Sequence, residues 1–167
     1  MKNLNALANE CISELLSIGI PIQTVKNWIV NTRAKSRWGL CRKVGEGVYD
    51  ISISAQLLED NVDDMAAKTT IVHELLHTVP GGSGHTGKWK VFAEKVNRLL
   101  PYNIKRTTSY KEKGVVDTRK PIERKYAVHC PQCKTTWRRA KRTKLIREPH
   151  SFRCLTCGAT IEAGECL

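Results

Sequence analysis

The sequence predicts an α+β domain followed by a small second module. Apolar residues recur at helical spacing in residues 3–18, and apolar and polar residues alternate in residues 48–54. Further along, two CxxC pairs lie within residues 126–167. Helices and strands in separate stretches are typical of the α+β class. We therefore expect a first domain over residues 1–101, a polar and basic linker over 102–125, and a second module over 126–167.

The first domain is predicted to combine helices with a small, largely antiparallel sheet. Strand patterns fill residues 25–54, where the Gly-Glu-Gly stretch is a turn signal. A second helix is expected from about Asp64 to Val79, because an aspartate can cap its start and Pro80 stops it. A third helix is expected from about Gly87 to Leu100.

No stretch of the sequence resembles an export signal or a membrane span. The first ten residues, MKNLNALANE, lack the basic-then-apolar layout of a signal peptide. No apolar run approaches the roughly 18 residues that cross a bilayer. The seven cysteines are therefore better explained by metal binding than by disulfides. We expect a cytoplasmic protein with no membrane partner, nucleoid-associated in a bacterium or phage and nuclear in a eukaryote.

The net charge of +12 is concentrated in one third of the chain. Residues 1–100 carry 12 basic and 10 acidic residues, whereas residues 101–153 carry 16 basic and 4 acidic residues. Local excess of this kind is typical of proteins with a polyanionic partner, most often nucleic acid. A solvated, soluble surface is the alternative interpretation of the same charge.

The stretch HELLHTVPGGSGH, residues 73–85, has the spacing of a metal site with an adjacent base. His73 and His77 are four residues apart on a predicted helix, so both imidazoles lie on one face and can reach one zinc ion. Glu74 is placed to take a proton from a water molecule on that ion and to return it to a leaving amine. This is the HExxH arrangement of zinc peptidases.

A catalytic zinc site needs a third protein ligand and one open position. Three residues are candidates for that ligand: His85, Cys41 and Glu94. We favour His85, because the proline and glycine residues between His77 and His85 allow the chain to turn back towards the helix. The sequence does not identify the group that stabilises the reacting oxyanion, although Tyr49 and Arg37 are conceivable.

The stretch HELLHTVPGGSGHTGKW resembles the metal-binding core of the SprT-like (Spartan-related) zinc metallopeptidases. The family pattern is HExxH, a loop, and a histidine with an aromatic residue four positions later, which here are His85 and Trp89. The earlier stretch RWGLCRKVGEGVYDISISAQLL resembles the Trp-Gly-x-Cys strand and hairpin of the same family. The resemblance implies a zincin-like peptidase domain with a C-terminal zinc ribbon, and an activity that depends on DNA.

The cysteine pairs CPQC and CLTC predict a structural zinc site. Cys130, Cys133, Cys154 and Cys157 have the spacing of a ribbon, and four thiolates leave no open position on the metal. The cofactors are therefore expected to be one catalytic and one structural zinc ion. Of the other cysteines, Cys11 and Cys41 are expected in the core, and Cys166 receives no role.

The loop between the two cysteine pairs carries the basic residues that we expect to contact phosphates. They are Arg138, Arg139, Lys141, Arg142, Lys144 and Arg147. Trp137 and Phe152 lie in the same region, but we expect them to pack inside the ribbon. His129 and His150 are expected on its surface, because four cysteines already complete the site.

The function predicted from these features is a zinc metallopeptidase that cleaves proteins bound or crosslinked to DNA, as in DNA repair. The expected partners are single-stranded or damaged DNA and DNA-bound proteins, with the enzyme itself a monomer. One rival is a nucleic-acid-binding zinc protein without proteolysis, although the presence of Glu74 argues against it. The other is a metallopeptidase with no DNA role, which the salt dependence of DNA binding would distinguish.

Overall fold

A computed structural model describes residues 1–34 and 36–165 of the chain. Cys166 lies outside the described residues. The chain divides into two compact units, Met1–Thr118 and Arg119–Leu167. Within the described ranges there are four α-helices and two three-stranded sheets, which confirms the α+β class. None of the helices in those ranges has both the length and the apolar character that a membrane span requires.

Three helices belong to the first unit: α1 (Leu4–Ser17), α2 (Asp64–Leu76) and α3 (Lys88–Leu99). The side chains of Asn3 and Asp63 accept hydrogen bonds from backbone N–H groups in the first turns of α1 and α2. Such caps satisfy donors that have no partner within the helix. The three predicted helices are therefore confirmed, with small shifts at their ends.

The sheet of the first unit is mixed, in the order β1-β3-β2. Its strands are β1 (Thr24–Asn31), β2 (Gly39–Gly45) and β3 (Val48–Ser54). The tight turn between β2 and β3 makes that pair antiparallel, but β1 runs parallel to β3. The prediction of a largely antiparallel sheet is thus wrong for β1. Ile51 and Ile53 make β3 the most buried strand, so it takes the central position and β1 occupies its free edge.

One apolar core lies where α1, α2 and the sheet meet. Its fully buried side chains come from α1, β3, α2 and α3 and from the segments that join these elements, so α2 is held on several sides. Burial of each such aliphatic side chain contributes roughly 1.5–3 kcal/mol. The largest of them are Leu15, Ile20, Ile51, Ile53, Leu57, Leu58, Ile71, Val72, Leu75, Leu76, Val79 and Val96.

Residues 102–113, which we call the strap, belong to the first unit and pack against the rest of it. The sequence places them in a linker, because most of them are polar, but the side chains of Tyr102 and Ile104 are buried. The Tyr102 hydroxyl donates a hydrogen bond to Glu14 on α1, and Tyr110 stacks edge-on against Trp38 with 4.5 Å between ring centroids. A few apolar anchors therefore tie down a segment whose composition is that of a loop.

The second unit is a small ribbon with its own sheet, in the order β5-β4-β6, with both pairs antiparallel. The strands are β4 (Tyr126–His129), β5 (Thr136–Arg139) and β6 (Glu162–Glu165), with one helical turn, α4 (Lys144–Arg147). Its core is small and includes two of the ribbon cysteines. The buried residues are Val128, Cys130, Ile146, Cys154 and Ile161.

Candidate functional site

The first two histidines are positioned by α2 and its C-terminal cap. His73 lies in the last turn of α2, and His77 is the residue that caps its end in a right-handed helical conformation. Because His77 keeps a helical backbone conformation, its side chain lies on the same face as that of His73, although the helix itself ends at Leu76. The centroids of the two imidazole rings are 5.1 Å apart. This pair forms one side of the candidate metal site.

His85 is brought back to this pair by the glycine-rich turn. Gly81 has a positive φ of 81°, a conformation that glycine adopts without strain. A β-carbon on Gly82 would lie 2.5 Å from the carbonyl oxygen of Leu76, so the turn packs directly on the end of α2. As a result, Nε2 of His85 lies 2.9 Å from Nε2 of His73 and 3.2 Å from Nε2 of His77.

Backbone carbonyl groups determine which nitrogen of the His73 and His77 rings faces the centre. Nδ1 of His73 lies 3.1 Å from the carbonyl oxygen of Lys105, and Nδ1 of His77 lies 2.9 Å from that of Gly82. A carbonyl can only accept, so in the neutral rings Nδ1 carries the proton and Nε2 presents a lone pair. The lone pairs on Nε2 of His73 and His77 both point at Nε2 of His85, and lone pairs this close together repel one another. A cation between the three nitrogens removes that repulsion. The donor set therefore fits a metal ion.

Trp89 packs against all three imidazoles. It is buried on α3, and its ring centroid lies 4.9 Å from that of His73, 5.7 Å from that of His77 and 4.7 Å from that of His85. Its indole N–H also points at the carbonyl oxygen of His73, 3.4 Å away. The aromatic residue of the quoted motif thus supports the three rings mechanically.

The surroundings favour the neutral form of all three imidazoles. Burial lowers the pKa of His73 to about 3, and the neighbouring His77 and His85 add to that shift. Burial is also the main cause of the lowered pKa of His77 and of His85. Neutral imidazole is the form that binds metals. The site is consequently ready for a cation at physiological pH.

Glu74 is buried between α2 and the start of β2. Burial raises its pKa to about 7, opposed by a backbone hydrogen bond from Cys41 and by the charge of Arg37. A β-carbon on Gly39 would lie 2.6 Å from Cγ and 2.8 Å from Cδ of Glu74, so only glycine leaves room for this carboxylate. The carboxylate lines the same cleft as the three histidines.

That cleft has a volume of about 570 Å³, within the range of about 300–1,000 Å³ that is usual for ligand sites. Its walls come from β2, α2, the turn that carries His85, and the strap. Both residues that the sequence leaves open as oxyanion stabilisers line it. The Tyr49 hydroxyl donates to the side-chain oxygen of Gln23 at 3.2 Å, and Arg37 is exposed near Glu74.

The other two candidates for the third ligand lie apart from the histidine group. Among the described residues, the group at this place that could hold an ion consists of His73, His77 and His85. Neither Cys41 nor Glu94 belongs to that group. The thiol of Cys41 lines the cleft, but burial and then the charge of Glu74 raise its pKa to about 12. Glu94 is exposed on α3, with its carboxylate 3.8 Å from Nζ of Lys90.

Sequence reasoning missed two residues of this site. Lys105 acts through its backbone carbonyl, and no side-chain pattern marks such a role. Gly39 contributes because it has no β-carbon and so leaves space for Glu74. Its position in the Trp-Gly-x-Cys stretch is the one feature of the sequence that could have pointed to this role. Both lie on elements that meet α2 only in the folded chain.

The four ribbon cysteines form the second group that can hold a metal ion. The sulfur atoms of Cys130 and Cys157 are 3.4 Å apart, and those of Cys133 and Cys154 are 3.5 Å apart. Hydrogen bonding to Thr135 is the main cause of the lowered pKa of Cys133, about 6, which favours the thiolate. Four thiolates suit zinc in a closed, structural site.

Backbone turns shape both cysteine knuckles. The N–H groups of Lys134 and Gly158 donate to the carbonyls of Cys130 and Cys154, at 3.0 Å and 2.8 Å. Lys134 and Gly158 both have positive φ, at 61° and 77°, as such turns require. The two knuckles therefore present their thiols in the same way.

The six basic residues predicted to contact nucleic acid are all exposed on the ribbon. Arg138 and Arg139 are on β5, Lys144 and Arg147 are on α4, and Lys141 and Arg142 lie between these elements.

The aromatic residues and the histidines of the ribbon lie apart from that set. The side chains of Trp137 and Phe152 pack against the ribbon core, as expected. His150 is exposed, and Nδ1 of the half-buried His129 lies 3.2 Å from the hydroxyl of Thr136. The exposed surface that remains for a polyanion is therefore basic rather than aromatic.

Comparisons with protein-family models, with curated proteins and with solved structures found no match to this chain. The chemistry of the two candidate metal-binding groups and of the cleft therefore indicates what this chain can do.

Proposed function

We propose that the first unit is a zinc-dependent peptidase of the SprT-like, zincin-like type, and that the ribbon binds nucleic acid. The protein would then cleave proteins that are bound or crosslinked to DNA. One observation carries the proposal: three imidazole nitrogens converge beside a buried carboxylate in an open cleft. Structural zinc sites are closed, whereas catalytic sites keep one position open beside three protein ligands.

His73, His77 and His85 would hold the catalytic metal through Nε2. The carbonyl groups of Lys105 and Gly82 orient the rings of His73 and His77 for this role. Zinc supplies a Lewis acid that polarises a peptide carbonyl and acidifies a water molecule. The wall formed by Trp89 keeps the three rings in place while substrate enters from the cleft. A fixed ligand geometry matters, because small misplacements of reacting groups are costly.

Glu74 would move the proton. Its carboxylate lines the cleft next to the histidine pair and is held against Gly39 and the backbone N–H of Cys41. In that position an Oε atom can accept a proton from the attacking water and deliver it to the amine that leaves. The same residue therefore acts as base and then as acid.

The nucleic-acid half of the proposal is supported by charge. Residues 101–153 carry 16 basic and 4 acidic residues, and the six basic residues between the cysteine pairs are exposed. Since Trp137 and Phe152 pack inward, contacts with phosphates rather than stacking on bases would dominate. The structural zinc would hold the ribbon together without taking part in chemistry.

The test is cleavage of a DNA-binding protein that has both basic and acidic segments, with and without single-stranded DNA, by wild type and by Glu74→Gln. Glu74→Gln keeps the size of the side chain and removes the base, so zinc content should persist while cleavage is lost. Glu94→Gln, an exposed change on α3, is the matched control and should cleave as wild type does.

Three results of that test are informative. Cleavage that DNA stimulates and that Glu74→Gln abolishes supports both halves of the proposal. Cleavage that is indifferent to DNA leaves a peptidase without a DNA role. Absence of cleavage by wild type, with DNA bound by both proteins, contradicts the enzymatic half and favours a binding protein.

A further inference from the structure

The wall of the cleft carries a strong excess of positive charge. Among the described residues that line it, the one acid is the buried Glu74. Five basic residues line the same cleft: Arg37, Lys43, Lys105, Arg106 and Lys113. A cleft whose wall has one sign of charge attracts ligands of the opposite sign.

Two of these five charges are already engaged within the protein. Nζ of Lys105 lies 2.8 Å from the carboxylate of Glu112. Lys113 is buried and donates a hydrogen bond of 2.9 Å to the carbonyl oxygen of Ala66. Neither lysine is therefore fully available to a ligand.

The other three charges are available. Arg37, Lys43 and Arg106 are exposed, and none belongs to an ion pair with another described residue. They line the cleft that contains the candidate site. Arg37 is close enough to Glu74, and Arg106 close enough to His85, for each charge to influence the pKa of its neighbour. Lys43 follows Cys41 by two residues, so it lies on the same side of β2.

We propose that this cleft selects peptide segments that carry aspartate or glutamate close to the bond to be cleaved. This inference rests on the proposed peptidase function and names its substrate class. A guanidinium group binds a carboxylate through two parallel hydrogen bonds, which adds geometric selectivity to the attraction of charge. A lysine or arginine at the same place in the substrate meets like charge and is disfavoured.

The basic residues of the ribbon and those of the cleft would bind different partners. The exposed basic residues of the ribbon suit a phosphate backbone, whereas the basic residues of the cleft line the same cavity as the carboxylate and the histidines that would act on a peptide. Aromatic and aliphatic side chains, including Trp38, Leu40 and Tyr49, line the cleft beside these charges, as is usual for sites that bind peptides. For a DNA-bound target, cleavage would then fall in an acidic segment and not in a basic DNA-binding tail.

Three fluorescent peptides of equal length, with glutamate, glutamine or lysine at the two positions on each side of one bond, test this. Binding is measured by anisotropy with the full chain carrying Glu74→Gln, and kcat/KM is measured with wild type. The glutamate peptide should bind roughly three- to tenfold more tightly than the glutamine peptide, and the lysine peptide more weakly than both. The preference should shrink as salt rises.

Charge-reversal variants locate the effect. Arg106→Glu and, separately, Lys43→Glu should remove most of the preference for glutamate. Arg98→Glu changes the net charge by the same amount on the exposed end of α3 and should keep the preference. Zinc content is measured for each variant, because Arg106 lies near His85.

The outcomes separate the inference from the function on which it rests. Equal binding of the glutamate and lysine peptides would overturn the inference even if both are cleaved. Selective binding of the glutamate peptide without cleavage by wild type would contradict the peptidase and support the acidic preference of the cleft. If a short thymidine oligonucleotide binds through Arg106 and the glutamate peptide does not bind, the cleft is a phosphate site and the inference is overturned.

Discussion

Gly39 and Glu74 are in contact across the wall of the cleft, with no room for a β-carbon between them. A β-carbon on Gly39 would lie 2.6 Å from Cγ of Glu74 and 2.8 Å from its Cδ. The start of β2 and the last turn of α2 thus approach each other as closely as a glycine allows. The buried carboxylate also accepts a hydrogen bond from the backbone N–H of Cys41. Together these contacts determine where the proposed base lies.

Gly39→Ala is therefore expected to displace Glu74 and to lower kcat/KM for peptide cleavage by about 100-fold, the effect that a shift of about 1 Å has on reacting groups. Zinc content should stay unchanged, because none of the three histidines is touched. The matched control is Gly45→Ala on the same strand, where the added carbon meets Val48 at an ordinary 3.6 Å. Equal loss of activity in both variants would contradict the argument.

The third ligand can be identified by metal content. Wild type is expected to hold about two zinc ions per chain, and His85→Ala about one, because two imidazoles alone bind zinc weakly. Cys41→Ser and Glu94→Gln should keep the wild-type content. Atomic emission measurements after dialysis against a weak chelator provide the readout. Loss of one ion in Cys41→Ser, with none lost in His85→Ala, would reverse the assignment.

Loss of the ribbon metal should unfold the second unit. Its core of buried residues is small, so zinc binding supplies much of its folding free energy. Cys154→Ser should therefore make residues 119–165 sensitive to limited proteolysis and leave the first unit resistant. Thr156→Ala, at an exposed position of the same knuckle, is the control. Mass spectrometry of the fragments decides, and equal resistance of both variants would show that the metal is dispensable for the ribbon.

Lys113 should make stability depend on pH in the alkaline range. Burial lowers its pKa to about 8 from 10.5, so the folded protein disfavours the charged form. Below pH 8 Lys113 is protonated in both the folded and the unfolded chain, so the destabilisation caused by burying its charge does not change with pH. Between pH 8 and 10.5 the unfolded chain holds more protons, so the free energy of unfolding rises with pH from this group.

The comparison is urea unfolding of wild type and of Lys113→Met across that range. The difference, wild type minus variant, should increase with pH by at most about 3 kcal/mol. Subtraction removes the titration of the other groups that both proteins share. A difference that is flat or falls with pH would contradict the burial of a charged lysine at this position.

Binding of nucleic acid by the ribbon should depend steeply on salt. Each phosphate contact contributes a slope of about −0.7 to −0.9 in a plot of log K against log salt concentration, and such contacts are expected from the exposed basic residues. Arg138→Gln with Arg139→Gln should reduce the magnitude of the slope by about one to two. Arg98→Gln on α3 is the control with no expected change. A salt-independent affinity for single-stranded DNA would argue against phosphate contacts.

Local patterns in the sequence determined the helix ends, the spacing of the histidine pair and the form of the cysteine knuckles. The spacing of His73 and His77 follows from helix geometry, and the caps Asn3 and Asp63 mark helix starts through contacts within a few residues. The paired cysteines bring two thiols together within each knuckle, because a backbone turn of that length has few shapes. Features of this kind are readable because both partners are close along the chain.

Only the tertiary structure decided the features that join distant segments. The place of β1 beside β3, the contact of Gly39 with Glu74, and the hydrogen bond between the Lys105 carbonyl and His73 bring together residues far apart in sequence. Tertiary packing determines which distant segments come into contact. Hydrophobic periodicity in the sequence shows which face of a helix or strand is buried, but not which other element covers that face. In the strap, likewise, polar composition predicts a linker, whereas a few buried side chains hold the segment against the rest of the first unit.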